Sequence, residues 1–273
     1  MKNQKISNLL VAVDFSAHSK VVVIQAREMA SILGAEVSYI YVFENIAVFD
    51  AAFEIKKKRF AKYFETKMRN DYLLSKNESV LVKYGRAYEE ITRAAKNFKN
   101  PMIVLGHRSN QLTRFLLGST VERVALQSLC PVWIHRSASV RMPVKILIPT
   151  DLTKDSSRTI EKVDWFKSAF RSKLEIFHVM QQPSPILDFD AYSDIYREIQ
   201  KFDDRQMKQF QKEHPSLSTV RSKGGVVDQI LKRLKQFDVL VLSPRYHKAS
   251  FGVFGSVTAK LIRLGEKPIL ILP

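Results

Sequence analysis

Short, unbroken apolar runs alternate along this chain with longer stretches whose apolar positions recur every three to four residues. Leu9-Leu10-Val11-Ala12-Val13 and Met102-Ile103-Val104-Leu105 are runs of the first kind. A run with no polar face is a strand buried on both sides, the mark of a parallel sheet. The pattern predicts strands near 8–13, 36–42, 78–83, 102–105 and 131–136, then near 144–149, 173–179, 217–222, 238–242 and 268–272. Helices are expected near 17–33, 52–76, 87–99 and 119–129, then near 153–170, 189–213, 226–236 and 256–265. Strand–helix alternation of this kind implies parallel sheets joined by right-handed crossovers. The expected class is α/β, with two tandem doubly wound domains. Each is a five-stranded, mainly parallel sheet with helices on both faces.

The second half restates the first at an offset of 137 residues. Asp14 and Asp151 close the first strand of each half, and Val42 corresponds to Val179, Arg108 to Arg245, Gly118-Ser119 to Gly255-Ser256 and Pro131 to Pro268. A repeat this long is a whole domain rather than a solenoid unit. The expected units are 1–137 and 144–273, with a linker at 138–143 too short to let them separate far. The offset drifts by two at Ile91 and Ile230, as loop lengths do between diverged copies. Ser16 and Thr153 are placed as helix N-caps, and Gly34 to end the first helix in a left-handed conformation. Ser119 and Glu122 have the spacing of a capping box. Phe49, Phe53, Phe60 and Phe64 share one helix face that reads as packed on the core or on the other half.

Composition adds limits. The 273 residues, 45% apolar, are enough for two cores, and no stretch nears the roughly 20 apolar residues that span a bilayer. The opening Met1-Lys2-Asn3-Gln4-Lys5 has no signal-peptide character, and the single Cys130 cannot form an internal disulfide. Cys130 reads as a buried, inert thiol, and a cytoplasmic location is expected. A net charge of +17 favours an anionic partner: nucleotide, nucleic acid or anionic lipid. The densest basic run, Lys56-Lys57-Lys58-Arg59 with Lys62, lies on a helix and reads equally as a solvated face.

In a doubly wound sheet, ligands bind beyond the carboxyl ends of the strands. The first half offers there Asp14-Phe15-Ser16, the strand end at Val42, and the loop from Gly106 to Gly118 that leads into a helix. A helix N-terminus suits phosphate, glycines allow close backbone approach, and Arg108 and Arg114 add charge. With these landmarks, the chain resembles the universal stress protein family in its tandem form. The likeness rests on Val11-Ala12-Val13-Asp14-Phe15-Ser16, Tyr39-Ile40-Tyr41-Val42 and Leu116-Leu117-Gly118-Ser119-Thr120, and it covers both halves. The resemblance implies strand order 3-2-1-4-5 in each half, with the final strands meeting near a pseudo-twofold axis. This makes the chain a fused form of the family's dimer, and self-association into a homodimer stays open.

The family's ATP-binding members carry G-x2-G-x9-G-[ST] after the fourth strand, and ATP with a divalent metal is the ligand the resemblance implies. By that likeness the binding residues are Asp14, Val42, Gly106, Arg108, Ser109, Gly118, Ser119 and Thr120. Ser109 stands where the second glycine belongs, and the spacer from Asn110 to Leu117 is one residue short. In the second half Ser243 and Tyr246 replace both early glycines, and Pro244 removes a backbone donor. By motif, then, the first half is the better site and the second a degenerate one. The same residues also read as plain structure: Gly118-Ser119 and Gly255-Ser256 as helix caps, Asp14 and Asp151 as acceptors for the following turn.

The six histidines show no metal-ligand spacing, and His178 on a strand reads as a hydrogen-bonded core residue. No nucleophile elbow, P-loop lysine motif or HExxH is present. Three functions follow: a non-enzymatic stress-response protein that senses adenine nucleotide in its first half, an interaction protein using its basic surface on nucleic acid or anionic lipid, and a slow ATP hydrolase.

Overall fold

A computed structural model describes residues 5–44, 51–107, 120–180, 189–243 and 255–273; for 51–55, 154–155 and 189–193 it describes the backbone alone. The first half runs β1 (Asn8–Ala12), α1 (Ala17–Leu33), β2 (Glu36–Phe43), α2 (Ala51–Asp71), β3 (Ser79–Tyr84), α3 (Ala87–Ala95), β4 (Pro101–Gly106), α4 (Thr120–Gln127) and β5 (Val132–His135). The second runs β6 (Lys145–Thr150), α5 (Lys154–Phe170), β7 (Lys173–Met180), α6 (Phe189–Glu213), β8 (Ser218–Lys223), α7 (Val226–Leu234), β9 (Val239–Leu242), α8 (Ser256–Leu264) and β10 (Ile269–Ile271).

All the strands join one ten-stranded sheet, ordered β3-β2-β1-β4-β5-β10-β9-β6-β7-β8. Within each half the order is 3-2-1-4-5 and the pairings are parallel. The halves are stitched by the antiparallel pair β5–β10, in which Trp133 faces Leu270. Those two residues correspond at the 137-residue offset, so the pseudo-twofold axis passes between them.

The strand runs are apolar on both faces because both faces are covered. On one side α1, α2, α5 and α6 pack Val22, Met29, Met68, Phe166 and Phe210 against Leu9, Val11, Ile146 and Ile148. On the other, α3, α4, α7 and α8 pack Ile91, Val124, Ile230 and Leu261 against Leu10, Ile103, Leu147 and Leu240. Each of these cores runs through both halves. Across the seam, Trp133 stacks on Phe166 at 5.9 Å, Arg263 Nε donates to Glu122 Oε1 at 2.7 Å, and Arg136 donates to the Gly265 carbonyl at 2.7 Å. Between β5 and β6, the Arg141 amide donates to buried Gln25 at 3.0 Å, pinning the connection to α1.

Local signals meet different fates. Ser16 caps α1, accepting from the Ser19 amide at 3.2 Å, and Gly34 ends it at φ 62°. Thr153 holds the N-cap position of α5, but its hydroxyl donates to Asp151 at 2.7 Å. Of the expected capping box, Glu122 accepts from Arg263 of the other half, and Ser119 lies outside the described residues. Helix α2 stops at Asp71 rather than near 76, because Leu73 turns to φ 52° and the Leu74 amide closes on Arg69 O. Of the phenylalanine face, Phe64 packs among Phe15, Tyr41 and Phe43, whereas Phe60 is 41% exposed; the side chains of Phe49 and Phe53 lie outside the described residues. Cys130 is only half-buried, beside the Ser128 hydroxyl, and burial pushes its thiol up from the ordinary range.

Candidate functional site

Neighbouring strands β6 and β9 send their chains to opposite faces of the sheet: β6 leads to α5, β9 toward α8. The sheet therefore parts at their carboxyl ends, as doubly wound sheets do at the switch point. A cleft of about 670 Å³ lies there. Its floor is Pro149, Thr150, Asp151, Phe177, His178, Val179, Leu242 and Ser243. One wall is α5 with Ser156, Arg158, Thr159 and Lys162; the other is α8 with Gly255, Ser256, Val257 and Thr258. The first turn of a helix leaves backbone N–H groups without intrahelical partners, so α8 brings its positive end to the cleft. At Gly255 an added Cβ meets nothing within 4 Å.

Asp151 leaves β6 through a tight turn. Its Oδ1 accepts from the Thr153 amide at 3.3 Å, the Thr153 hydroxyl at 2.7 Å and the Ser156 hydroxyl at 2.8 Å. Leu152 sits in the left-handed region at φ 60°. The first half repeats the device. Asp14 Oδ1 accepts from the Ser16 amide at 3.0 Å and the Ser19 hydroxyl at 2.5 Å, and Phe15 has φ 60°. Burial alone would raise the Asp14 carboxyl, but the Ser16 and Ser19 bonds hold it below its ordinary range. A left-handed non-glycine residue costs roughly 1–2 kcal/mol, and both halves carry one at the same place beside the strand end.

On the cleft floor, His178 is fixed on both sides. Its Nδ1 lies 3.0 Å from the Thr150 carbonyl and its Nε2 2.5 Å from Asp203 Oδ1. Asp203 Oδ2 accepts in turn from Arg221 at 3.0 Å. The core role expected of His178 is thus correct, and the network also stiffens the cleft.

In the first half the strand end corresponding to Ser243 is Gly106. Gly106 ends β4 against α1, and a Cβ there would stand 2.7 Å from His18 Cδ2 and 2.9 Å from Val22 Cγ2. His18 is buried, 3.3 Å from the His135 carbonyl and stacked on the His135 ring at 5.6 Å. His107 follows Gly106. Burial, then the nearby Arg136 charge, push its ring down to about 4, and burial with neighbouring His18 does the same for His135.

A model of the universal stress protein family matches residues 5–136 and again 142–273. The chain belongs to that family. Three solved structures share the fold along nearly its whole length. A universal stress protein from Archaeoglobus fulgidus is 18% identical with TM-score 0.61, covering 97% of this chain and 95% of its own. A functionally unknown protein from Pseudomonas aeruginosa PAO1 is 14% identical with TM-score 0.61, covering 98% and 93%. A putative universal stress protein from Pseudomonas aeruginosa UCBPP-PA14 is 14% identical with TM-score 0.59, covering 98% and 94%. No curated protein sequence matches the chain.

Within this universal stress protein, the residues expected to bind ligand divide as follows. Asp14, Gly106 and Thr120 are placed at strand ends and at the start of α4, and Val42 is half-buried near the end of β2, opposite Lys83. Arg108, Ser109, Gly118 and Ser119 lie outside the described residues. The structure thus brings Asp14, Val42 and Gly106 to one end of the sheet. In the second half it gathers the counterparts Asp151, Val179, Ser243, Gly255 and Ser256 around the cleft. The motif did not point to Arg158, Thr159 and Lys162; the signal that could have found them is their position, one to three turns into the helix that follows Asp151. Among the described residues no helix is long and apolar enough to cross a membrane.

Proposed function

We propose that this stress-response protein binds an adenine nucleotide in the second-half cleft, and that occupancy changes its affinity for a partner rather than driving a reaction. The observation that carries the reading is the cleft itself. It has the size of a small-molecule site, about 670 Å³, and is lined at once by Asp151, Val179, Ser243, Gly255 and Ser256. These are the second-half counterparts of the residues the family resemblance picks out in the first half. Val179 and Phe177 offer an apolar seat for a base, Asp151 an acceptor for a ribose hydroxyl, and the N-terminus of α8 a place for phosphate. Among the described residues no group of three His, Cys, Asp or Glu side chains could hold a metal ion.

The first half supports a second reading, because it repeats the Asp14 turn and keeps Gly106. There the loop between β4 and α4 lies outside the described residues. The test is extraction of nucleotide from purified protein, followed by titration with ATP, ADP and AMP. Saturable binding of one equivalent supports the reading. Absence of binding at millimolar nucleotide overturns it, and steady release of ADP from bound ATP would replace it with hydrolysis.

A further inference from the structure

We infer that the second-half cleft holds the phosphates of its ligand with Arg158 and Lys162, two side chains of α5, acting opposite the N-terminus of α8. The inference rests on the cleft of the proposed function and adds which groups bind the anion.

Arg158 and Lys162 are four residues apart on α5, so they lie on one helix face, and both line the cleft with exposed side chains. Lys162 Nζ donates to the Pro273 carbonyl, which tethers its head at the rim. At the 137-residue offset their counterparts in α1 are Val21 and Gln25. Gln25 is fully buried and bound to the Arg141 amide, and Val22, the counterpart of Thr159, is packed beneath Gly106. Thr159 is buried as Val22 is, but the flanking pair changes from half-buried Val21 and buried Gln25 to exposed, cationic Arg158 and Lys162.

The sequence of the following loop explains why side chains are needed. Ser243 and Tyr246 stand where glycines would let a backbone wrap phosphate, and Pro244 offers no N–H. Two cations on α5 supply the charge that such a loop supplies elsewhere, and a guanidinium can take two phosphate oxygens at once. The acidic side chain lining the cleft among the described residues is Asp151, whose Oδ1 is already occupied by Thr153 and Ser156. The ligand class is therefore a phosphorylated molecule with more than one negative charge, its phosphates between α5 and α8.

The test is calorimetric titration at low salt with two probes, ATP and inorganic tripolyphosphate. The proteins are wild type, the Arg158→Gln/Lys162→Gln double variant, and a Lys56→Gln/Lys58→Gln control that removes the same charge from α2. Wild type is expected to bind both probes, the double variant each at least tenfold more weakly, and the control as wild type. Unchanged ATP affinity in the double variant overturns the inference and leaves the nucleotide reading standing. Tripolyphosphate binding without ATP binding, lost in the double variant, supports the inference and removes the nucleotide. Equal weakening in the control reduces the effect to net charge and overturns it; binding of neither probe by wild type overturns both.

Discussion

Alanine at Gly106 would put a methyl carbon 2.7 Å from His18 Cδ2 and 2.9 Å from Val22 Cγ2. Neither neighbour can yield cheaply. Val22 is 0% exposed, and His18 is held between the His135 carbonyl and ring. Overpacking of this kind costs about 1–3 kcal/mol. Gly106 does not have a positive φ, so alanine also restricts the unfolded chain and returns roughly 0.4–1 kcal/mol. The net expectation is a loss of about 1–2 kcal/mol, or a melting point lower by roughly 2–8 °C for a unit of this size. Urea and thermal unfolding of G106A measure it. The cause is isolated by repeating the substitution in a His18→Ala background, where the nearest obstacle is gone and the penalty should shrink by at least about 0.5 kcal/mol. A G106A protein as stable as wild type, or one with the same penalty in both backgrounds, would refute the claim that this glycine exists to seat α1 on β4.

Other consequences follow from the same structure. His107 and His135, held near 4 by burial and by the charges of Arg136 and His18 respectively, are neutral in the folded chain where the unfolded chain begins to take up protons near 6.5. Stability should hence be level above about pH 6.5 and fall as pH drops toward 4, by up to about 1.4 kcal/mol per pH unit for each ring, and His107→Asn should flatten the slope in urea titrations across that range. Arg171 ends α5 at φ 50° where Gly34 ends α1 at φ 62°; Arg171→Gly should stabilise the protein by about 0.5–1 kcal/mol in denaturant unfolding. Lys56, Lys58 and Arg59 are exposed on α2, so reversing all three charges should shift the melting point by less than about 2 °C in calorimetry.

The strands were legible in the sequence because a sheet covered on both faces demands unbroken apolar runs, and the strand order followed from the family resemblance. Helix ends were less so. The apolar spacing of Tyr72 and Leu74 continues the α2 pattern past Asp71, and only the left-handed Leu73, 83% exposed, ends it. No residue type announces that turn, nor the ones at Phe15 and Leu152; for the latter pair the sole signal is recurrence at the repeat offset. The motif ranked the halves by their glycines. The side-chain partner of Gly106, His18, lies 88 residues earlier and on another element, where no motif could show it. Likewise, the change from buried Gln25 to exposed Lys162 brings a cation to the cleft without touching any motif position.

The most direct test of the proposed nucleotide site is ATP titration of two valine variants, Gly255→Val and Gly118→Val. A side chain at Gly255 enters open space beside the cleft, so the first variant should fold and melt as wild type. If the second-half cleft is the site, Gly255→Val loses ATP binding by at least tenfold while Gly118→Val retains it. Binding kept by Gly255→Val and abolished by Gly118→Val would place the ligand in the first half and refute the second-half site.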